Sequence, residues 1–112
     1  MSECIFCKVA AGEIPAQVVR RGDGMLAFRD INAQAPTHLL VIPTHHVASL
    51  NDVSDDRLLG RLLAFARDTA REAGIADKGY RVVVNTNPHG GQTVYHLHLH
   101  VLGGRPMEWP PG

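Results

Sequence analysis

Tyr95-His96-Leu97-His98-Leu99-His100-Val101-Leu102 alternates apolar and imidazole side chains without a break. Alternation at period two predicts a β-strand with one buried face. Tyr95, Leu97, Leu99 and Val101 form its core-facing set, and His96, His98 and His100 line the other face, about 7 Å apart. A single histidine in such a place most often packs or hydrogen-bonds locally. Three in a row beside Gly90-Gly91 serve no need of folding, and the interleaved leucines exclude an affinity tag. Neutral imidazoles bind zinc or copper, and a histidine can also attack phosphorus and hold it covalently. The row alone leaves both uses open.

The rest of the chain sets the frame. Its 112 residues make one domain, 1–112, in which 98–112 carry the end of the histidine strand and a C-terminal arm. The formal net charge is zero, and no basic stripe points to a nucleic-acid polymer. The N-terminal residues lack the pattern of an export signal, and no apolar run approaches the ~20 residues of a membrane helix. A cytoplasmic protein with no membrane partner is expected. Two cysteines three apart, in a chain without an export signal, suit a metal or redox pair better than a structural disulfide.

Outward from the histidines, the periodicity predicts an α+β domain. Residues 4–11 read as a short helix with Ser2 as its cap and Ile5, Phe6 and Val9 on one face. Strands are expected over 16–21 and 25–30, joined at Gly22-Asp23-Gly24 as a hairpin. A third strand over 38–43 is apolar along most of its length and so central. A turn of helix is expected near 47–50. One long helix follows, capped by Ser54 and stopped by Gly74, with Leu58, Leu59, Leu62, Leu63, Ala66, Ala70 and Ala73 as a core stripe. A fourth strand runs over 80–86 and the histidine strand over 94–102. The sheet is antiparallel with about five strands, covered by one long and one short helix.

Three further features bear chemistry. Gly90-Gly91-Gln92-Thr93 enters the histidine strand, and such glycines let backbone N–H groups approach an anion. Asp30 and Asn85 lie near strand ends, where a carboxylate and an amide could meet a sugar, although Asp30 could equally cap a turn. Cys4-x-x-Cys7 could supply two of the four sulfur and nitrogen ligands zinc prefers, the others being histidines. A redox pair, or two plain helix cysteines, are the other readings.

His96-Leu97-His98-Leu99-His100-Val101-Leu102 resembles the signature of the histidine triad (HIT) family. Leu26 to Ile31, Ala35 to Pro43, Gly90 to Tyr95 and the tail Gly103 to Gly112 resemble its Hint branch, the histidine triad nucleotide-binding proteins, so the likeness covers nearly the whole chain. The resemblance implies a HIT-like fold and a purine nucleoside phosphoramidate hydrolase. It implies His98 as nucleophile on the α-phosphorus and His100 against the phosphate oxygens. His96, His38 and Thr93 would form a proton relay to the leaving group. Serine is frequent in the family where Thr93 stands. The resemblance further implies Asp30 on the ribose and Ile5, Phe6, Phe28 and Ile31 around the base. Asn85, Gly91, Gln92 and Thr93 would touch sugar and phosphate. For the apolar residues an ordinary core role competes.

Many Hint proteins lack the cysteines, but the galactose-1-phosphate uridylyltransferases of the same superfamily carry them. Carried over from these, a zinc would take Cys4, Cys7, His46 and His96, with His45 as the alternative to His46; no organic cofactor is implied. His96 is thereby asked both to bind metal and to relay protons. The tail, with Trp109, would cross to the partner subunit of a homodimer and border its site. The ligand implied is a purine nucleoside monophosphate or its phosphoramidate. A nucleotide- or zinc-binding interaction module with slow or vestigial hydrolysis is the competing function. A nucleotidylyltransferase would need a second substrate site that so short a chain hardly supplies.

Overall fold

Asp23 and Gly24 both have positive φ, 56° and 76°, and close the first hairpin. Two such residues twist the chain in the sense that matches flanking strands. In the computed structural model, which describes residues 3–112, this turn joins β1 (Val18–Gly22) to β2 (Met25–Arg29). The other strands are β3 (Thr37–Pro43), β4 (Tyr80–Val83) and β5 (Leu99–Gly103). They form one sheet in the order β1-β2-β3-β5-β4, every neighbouring pair antiparallel. The α+β architecture and its five strands agree with the sequence. The apolar third strand is the central one, with residues 38–43 buried.

Each sheet face has its own core. Helix α2 (Asp56–Glu72) lays Leu58, Leu62, Phe65, Ala66 and Ala70 on one face, against Ala27, Leu39, Val41, Leu99 and Val101. The short helix α1 (Ile5–Ala10) sends Phe6 and Val9 onto the other, against Leu26, Phe28, Leu40 and Ile42. Alternation along the strands then puts Asp30, His38, His98 and His100 beyond the apolar residues of the α1 face.

Several boundaries differ from the sequence expectation, for physical reasons. The histidine strand begins at Leu99, not at 94. Pro43 has no N–H to extend the β3 ladder, and its carbonyl accepts instead from the His96 ring (2.8 Å). Leu97 N–H turns aside to the Val47 carbonyl (2.7 Å). Tyr95 therefore leaves the core face and is exposed, while His96 and His98 are both buried. With β5 shortened, β4 stops at Val83 opposite His100, so Asn85 lies past the strand. β1 starts at Val18, whose N–H bonds back to the Ala16 carbonyl.

Helix ends and faces differ too. Asp55, not Ser54, caps α2, accepting from Arg57 N–H (3.0 Å). Leu63 and Ala73 face outward, and Phe65 takes a core place the stripe had omitted. The turn expected near 47–50 is a single 3₁₀ turn, Leu50–Asp52, capped by Ser49. A second such turn, Pro88–Gly90, lies in the loop before the histidines. Ser2 lies outside the described residues; Cys4 itself caps α1, its Sγ accepting from Cys7 N–H (3.3 Å). No helix among the described residues is long and apolar enough to cross a membrane.

Candidate active site and metal centre

A cleft of about 500 Å³ opens on the α1 face. Ile5, Phe6 and Val9 of α1 form one wall, and Phe28, Leu40 and Val94 form its floor. Asp30, Ile31, His38, Thr93, His98 and His100 are among the other lining residues, so the cleft combines apolar walls with imidazoles, a hydroxyl and a carboxylate. Such a cleft suits a ligand with an apolar ring at one end and a charged group at the other.

The ring of His98 is fixed on two sides. Its Nδ1–H donates to the carbonyl oxygen of His96 (2.8 Å). Nε2 therefore carries the lone pair, on a ring that lines the cleft. Phe6 packs edge-on against this ring at 5.1 Å between centroids, and edge-on against Phe28 at 5.5 Å.

His38, His100 and Asp30 form a connected group. Gln34 N–H donates to His38 Nδ1 (3.0 Å), so the proton of neutral His38 sits on Nε2. Nε2 lies 2.9 Å from His100 Nδ1 and 3.3 Å from Asp30 Oδ2. His100 Nδ1 accepts this proton bond, which leaves its own N–H on Nε2. Burial lowers the pKa of His38, with Asp30 opposing. Burial, assisted by the charges of His98 and His38, lowers His100 to about 4 against the pull of Asp30. Both rings are neutral near pH 7, and the group presents oriented N–H donors rather than cations.

Behind the cleft lies a second cluster. Cys4 Sγ is 3.3 Å from His96 Nδ1, and Cys7 Sγ is 3.4 Å from His46 Nδ1 and 3.5 Å from His96 Nδ1. All four ligand atoms lie within 4.8 Å of one another, close enough to hold a metal ion. His45 is not part of the cluster. His96 is fully buried, and its Nε2–H is committed to the Pro43 carbonyl, which turns an Nδ1 lone pair toward the thiols. An imidazole whose far N–H is held by a carbonyl is the usual form of a metal ligand. Asp30, His38 and His100 also lie within 4.8 Å of one another. There, however, Gln34 N–H occupies His38 Nδ1 and puts the proton on Nε2, where a ligand needs a lone pair. The tautomers thus mark the cysteine cluster as the metal-type site and the other as a hydrogen-bonded group.

A family model for the HIT domain matches residues 11–107. The chain belongs to the HIT family. It is 50% identical over 107 residues to the purine nucleoside phosphoramidase of Escherichia coli strain K12, over 94% of this chain and 90% of that protein. A solved HIT family hydrolase from Legionella pneumophila superposes with a TM-score of 0.94 at 57% identity, over 98% of this chain and all of that one. A histidine triad protein from Clostridium difficile superposes with a TM-score of 0.92 at 41% identity, over 96% of each chain.

Set against this HIT fold, the residues expected at the site divide into three groups. Ile5, Phe6, Phe28, Asp30, Ile31, His38, Thr93, His98 and His100 line the cleft together. His96 stands behind it, with both ring nitrogens facing the metal-type cluster and Pro43. Asn85, Gly91, Gln92 and Trp109 are not among the lining residues. Gln92 is buried, donating to the Ala48 and Val94 carbonyls and accepting from Asn87 N–H, so its side chain pins the loop. Trp109 is 83% exposed on an arm tied to β4 by Arg81, whose Nη2 donates to the Glu108 carbonyl (2.8 Å). Sequence reasoning missed the backbone of Gln34 and the packing of Phe6 on His98. No residue pattern signals a backbone N–H, but the position of Phe6 beside Cys7 was visible.

Proposed function

We propose that this HIT protein hydrolyses purine nucleoside phosphoramidates through a covalent nucleotidyl-histidine on His98. The observation that carries the reading is the His98 ring: Nδ1–H held by the His96 carbonyl, Nε2 left as a lone pair, and the ring on a cleft that is otherwise largely apolar. The likeness to the Escherichia coli purine nucleoside phosphoramidase supports the substrate class. Nε2 attacks the α-phosphorus, the P–N bond of the substrate breaks, and the amine leaves with a proton. Water then cleaves the P–N bond to His98 and releases the nucleoside monophosphate, restoring the neutral ring. His100 gives its Nε2–H to the phosphoryl oxygens, where charge grows in the transition state.

The leaving amine needs a proton. We assign its delivery to the hydroxyl of Thr93, which lines the cleft, is exposed to solvent and regains the proton from water, while His38 holds His100 in the tautomer that faces the phosphoryl group. His96 is assigned to the metal instead, since a ring held at both nitrogens cannot carry a proton to substrate. Phe6, Phe28, Ile5 and Ile31 would hold the base and Asp30 the ribose. Gly91 and Asn85 would contribute at the sugar and phosphate. Zinc would be held by Cys4, Cys7, His46 and His96; when bound it supplies a rigid cross-link, and no step passes through it.

We also propose a homodimer. β4 is an open sheet edge, and beside it an apolar groove is lined by Leu50, Leu59, Leu63 and Val84. An exposed Trp109 outside its own cleft suits an arm that serves a neighbour.

Rapid quench with an adenosine 5′-phosphoramidate labelled in its nucleotide tests the chemistry. Adenylated protein should appear within the first turnover and be absent from His98→Ala, which should abolish turnover while keeping the native circular dichroism. No labelled protein, with His98→Ala within a few-fold of the parent, would remove His98 as nucleophile and favour a binding module.

A further inference from the structure

Two physical links run from the metal-type cluster to the nucleotide cleft. The first is α1. Six residues are too few for a helix to be stable alone, and α1 meets the body through the apolar contacts of Phe6, Val9 and Ala10 and through the thiols of Cys4 and Cys7. Between the two cysteines sits Phe6, which lines the cleft and packs edge-on against His98. Ile5 and Val9 of the same helix line the cleft too. The second link is His96. Its ring faces the thiols and its own carbonyl holds His98 Nδ1–H. One short helix and one residue thus belong to both sites.

We infer that metal occupancy of Cys4, Cys7, His46 and His96 and nucleotide occupancy of the cleft reinforce each other, with Phe6 as the coupling residue. This rests on the nucleotide and zinc reading proposed above. A metal that fixes α1 places Phe6, Ile5 and Val9 before the base arrives, so the ordering cost is met once for both ligands. Linkage then requires the reverse: a bound nucleotide, pressed against the same wall, tightens the metal by the same factor.

The experiment measures both halves of the cycle. Zinc affinity of the full chain is read by competition with a chromogenic chelator, with and without saturating adenosine 5′-monophosphate. Nucleotide affinity is read by calorimetry on zinc-loaded and zinc-free protein. The nucleotide should tighten zinc by about fivefold or more, and zinc should tighten the nucleotide by the same factor. The zinc-side half starts from loaded protein and reads the metal released to the chelator, so it stands even if the metal-free chain does not fold. Phe6→Leu, which keeps an apolar side chain but removes the ring, should bring the factor close to one when the comparison is made at nucleotide concentrations that saturate the variant. Nucleotide that binds while zinc affinity stays unchanged overturns the coupling and spares the hydrolase reading. Nucleotide that fails to bind loaded protein overturns both. Full coupling retained in Phe6→Leu removes Phe6 as the route.

Discussion

His100 shows how one buried ring sets a pH dependence. Its folded pKa, about 4, lies below the ordinary 6.5 of an exposed histidine. The unfolded chain therefore binds a proton in that interval and the folded chain does not, so the contribution to stability is present above about pH 6.5 and is lost as pH falls through about 4. His38 shifts in the same direction. Urea midpoints at about pH 7.5 and about pH 5 should differ more for the parent than for His100→Asn, which has no proton to take up. An equal drop in both proteins would place the acid sensitivity elsewhere. Asp30 makes a second case. Its Oδ1 accepts from Asn32 N–H (2.9 Å), and Oδ2 lies 3.3 Å from His38. Asp30→Ala should raise KM by roughly tenfold, about 1.4 kcal/mol, with a smaller fall in kcat. A deoxyribose substrate that suffers the same loss as a ribose one would count against contact with the sugar. Gly104 makes a third. Its φ is +90°, and a Cβ there would stand 2.8 Å from Pro36 Cβ. Gly104→Ala should cost about 1–3 kcal/mol, read as a lower denaturation midpoint.

At the scale of elements, α1 is the piece whose stability depends on something besides its own packing. Its cap is a cysteine sulfur, and of its six residues only Phe6 and Val9 are buried. A metal at the cluster would tie it to the segment after β3 through His46 and to the histidine motif through His96. The unfolded chain lacks this site, so binding energy becomes folding energy. About one zinc per subunit is expected by metal analysis of untagged protein, with a lower melting temperature after chelation. Cys4→Ser combined with Cys7→Ser should lose the metal but keep part of the activity, because the proposed nucleophile, His98, lies outside α1. A stoichiometry near zero after reduction and zinc supplementation would return His96 to the proton relay. Helix α2 behaves differently. It is seventeen residues long and buries Leu62 to 1% exposure, and it is held by ordinary core packing, with no metal in its account.

At the scale of the whole molecule, the sheet is built so that its two faces do different work. One face, under α2, is mostly apolar core and provides rigidity. The other turns from core to polar groups along the strands, from Leu26 and Phe28 on β2 to Asp30 just past its end and from Ile42 and Leu40 to His38 on β3. The polar groups of the cleft thus stand on backbone that the α2 core already holds, as precise placement requires. The proposed dimer belongs to this scale. Sedimentation should give twice the 12.2 kDa of one chain. Arg81→Ala, which releases the arm from β4, should alter turnover more than it alters that mass. A monomer at micromolar concentration would leave the open β4 edge and the exposed Trp109 without this explanation.

The amino-acid sequence by itself determined the elements and the family. Period-two and period-3.6 patterns are local, and they locate the hairpin, the central strand and α2. The spacing of His96, His98 and His100 is equally local, and so are the two thiols of Cys4-x-x-Cys7. What only the tertiary structure decided depends on groups distant in the chain or on backbone. Pro43 ends the β3 ladder and so turns His96 away from the cleft toward Cys4. Gln34 N–H sets the proton of His38, and through it that of His100. His46, rather than His45, meets Cys7 because the chain after Pro43 presents only one of two adjacent rings to α1. Phe6 could be read as core or as pocket from its pattern, and it is both. A tautomer is set by which partner reaches which nitrogen, and such partners are brought together by the fold, not by neighbours in the chain.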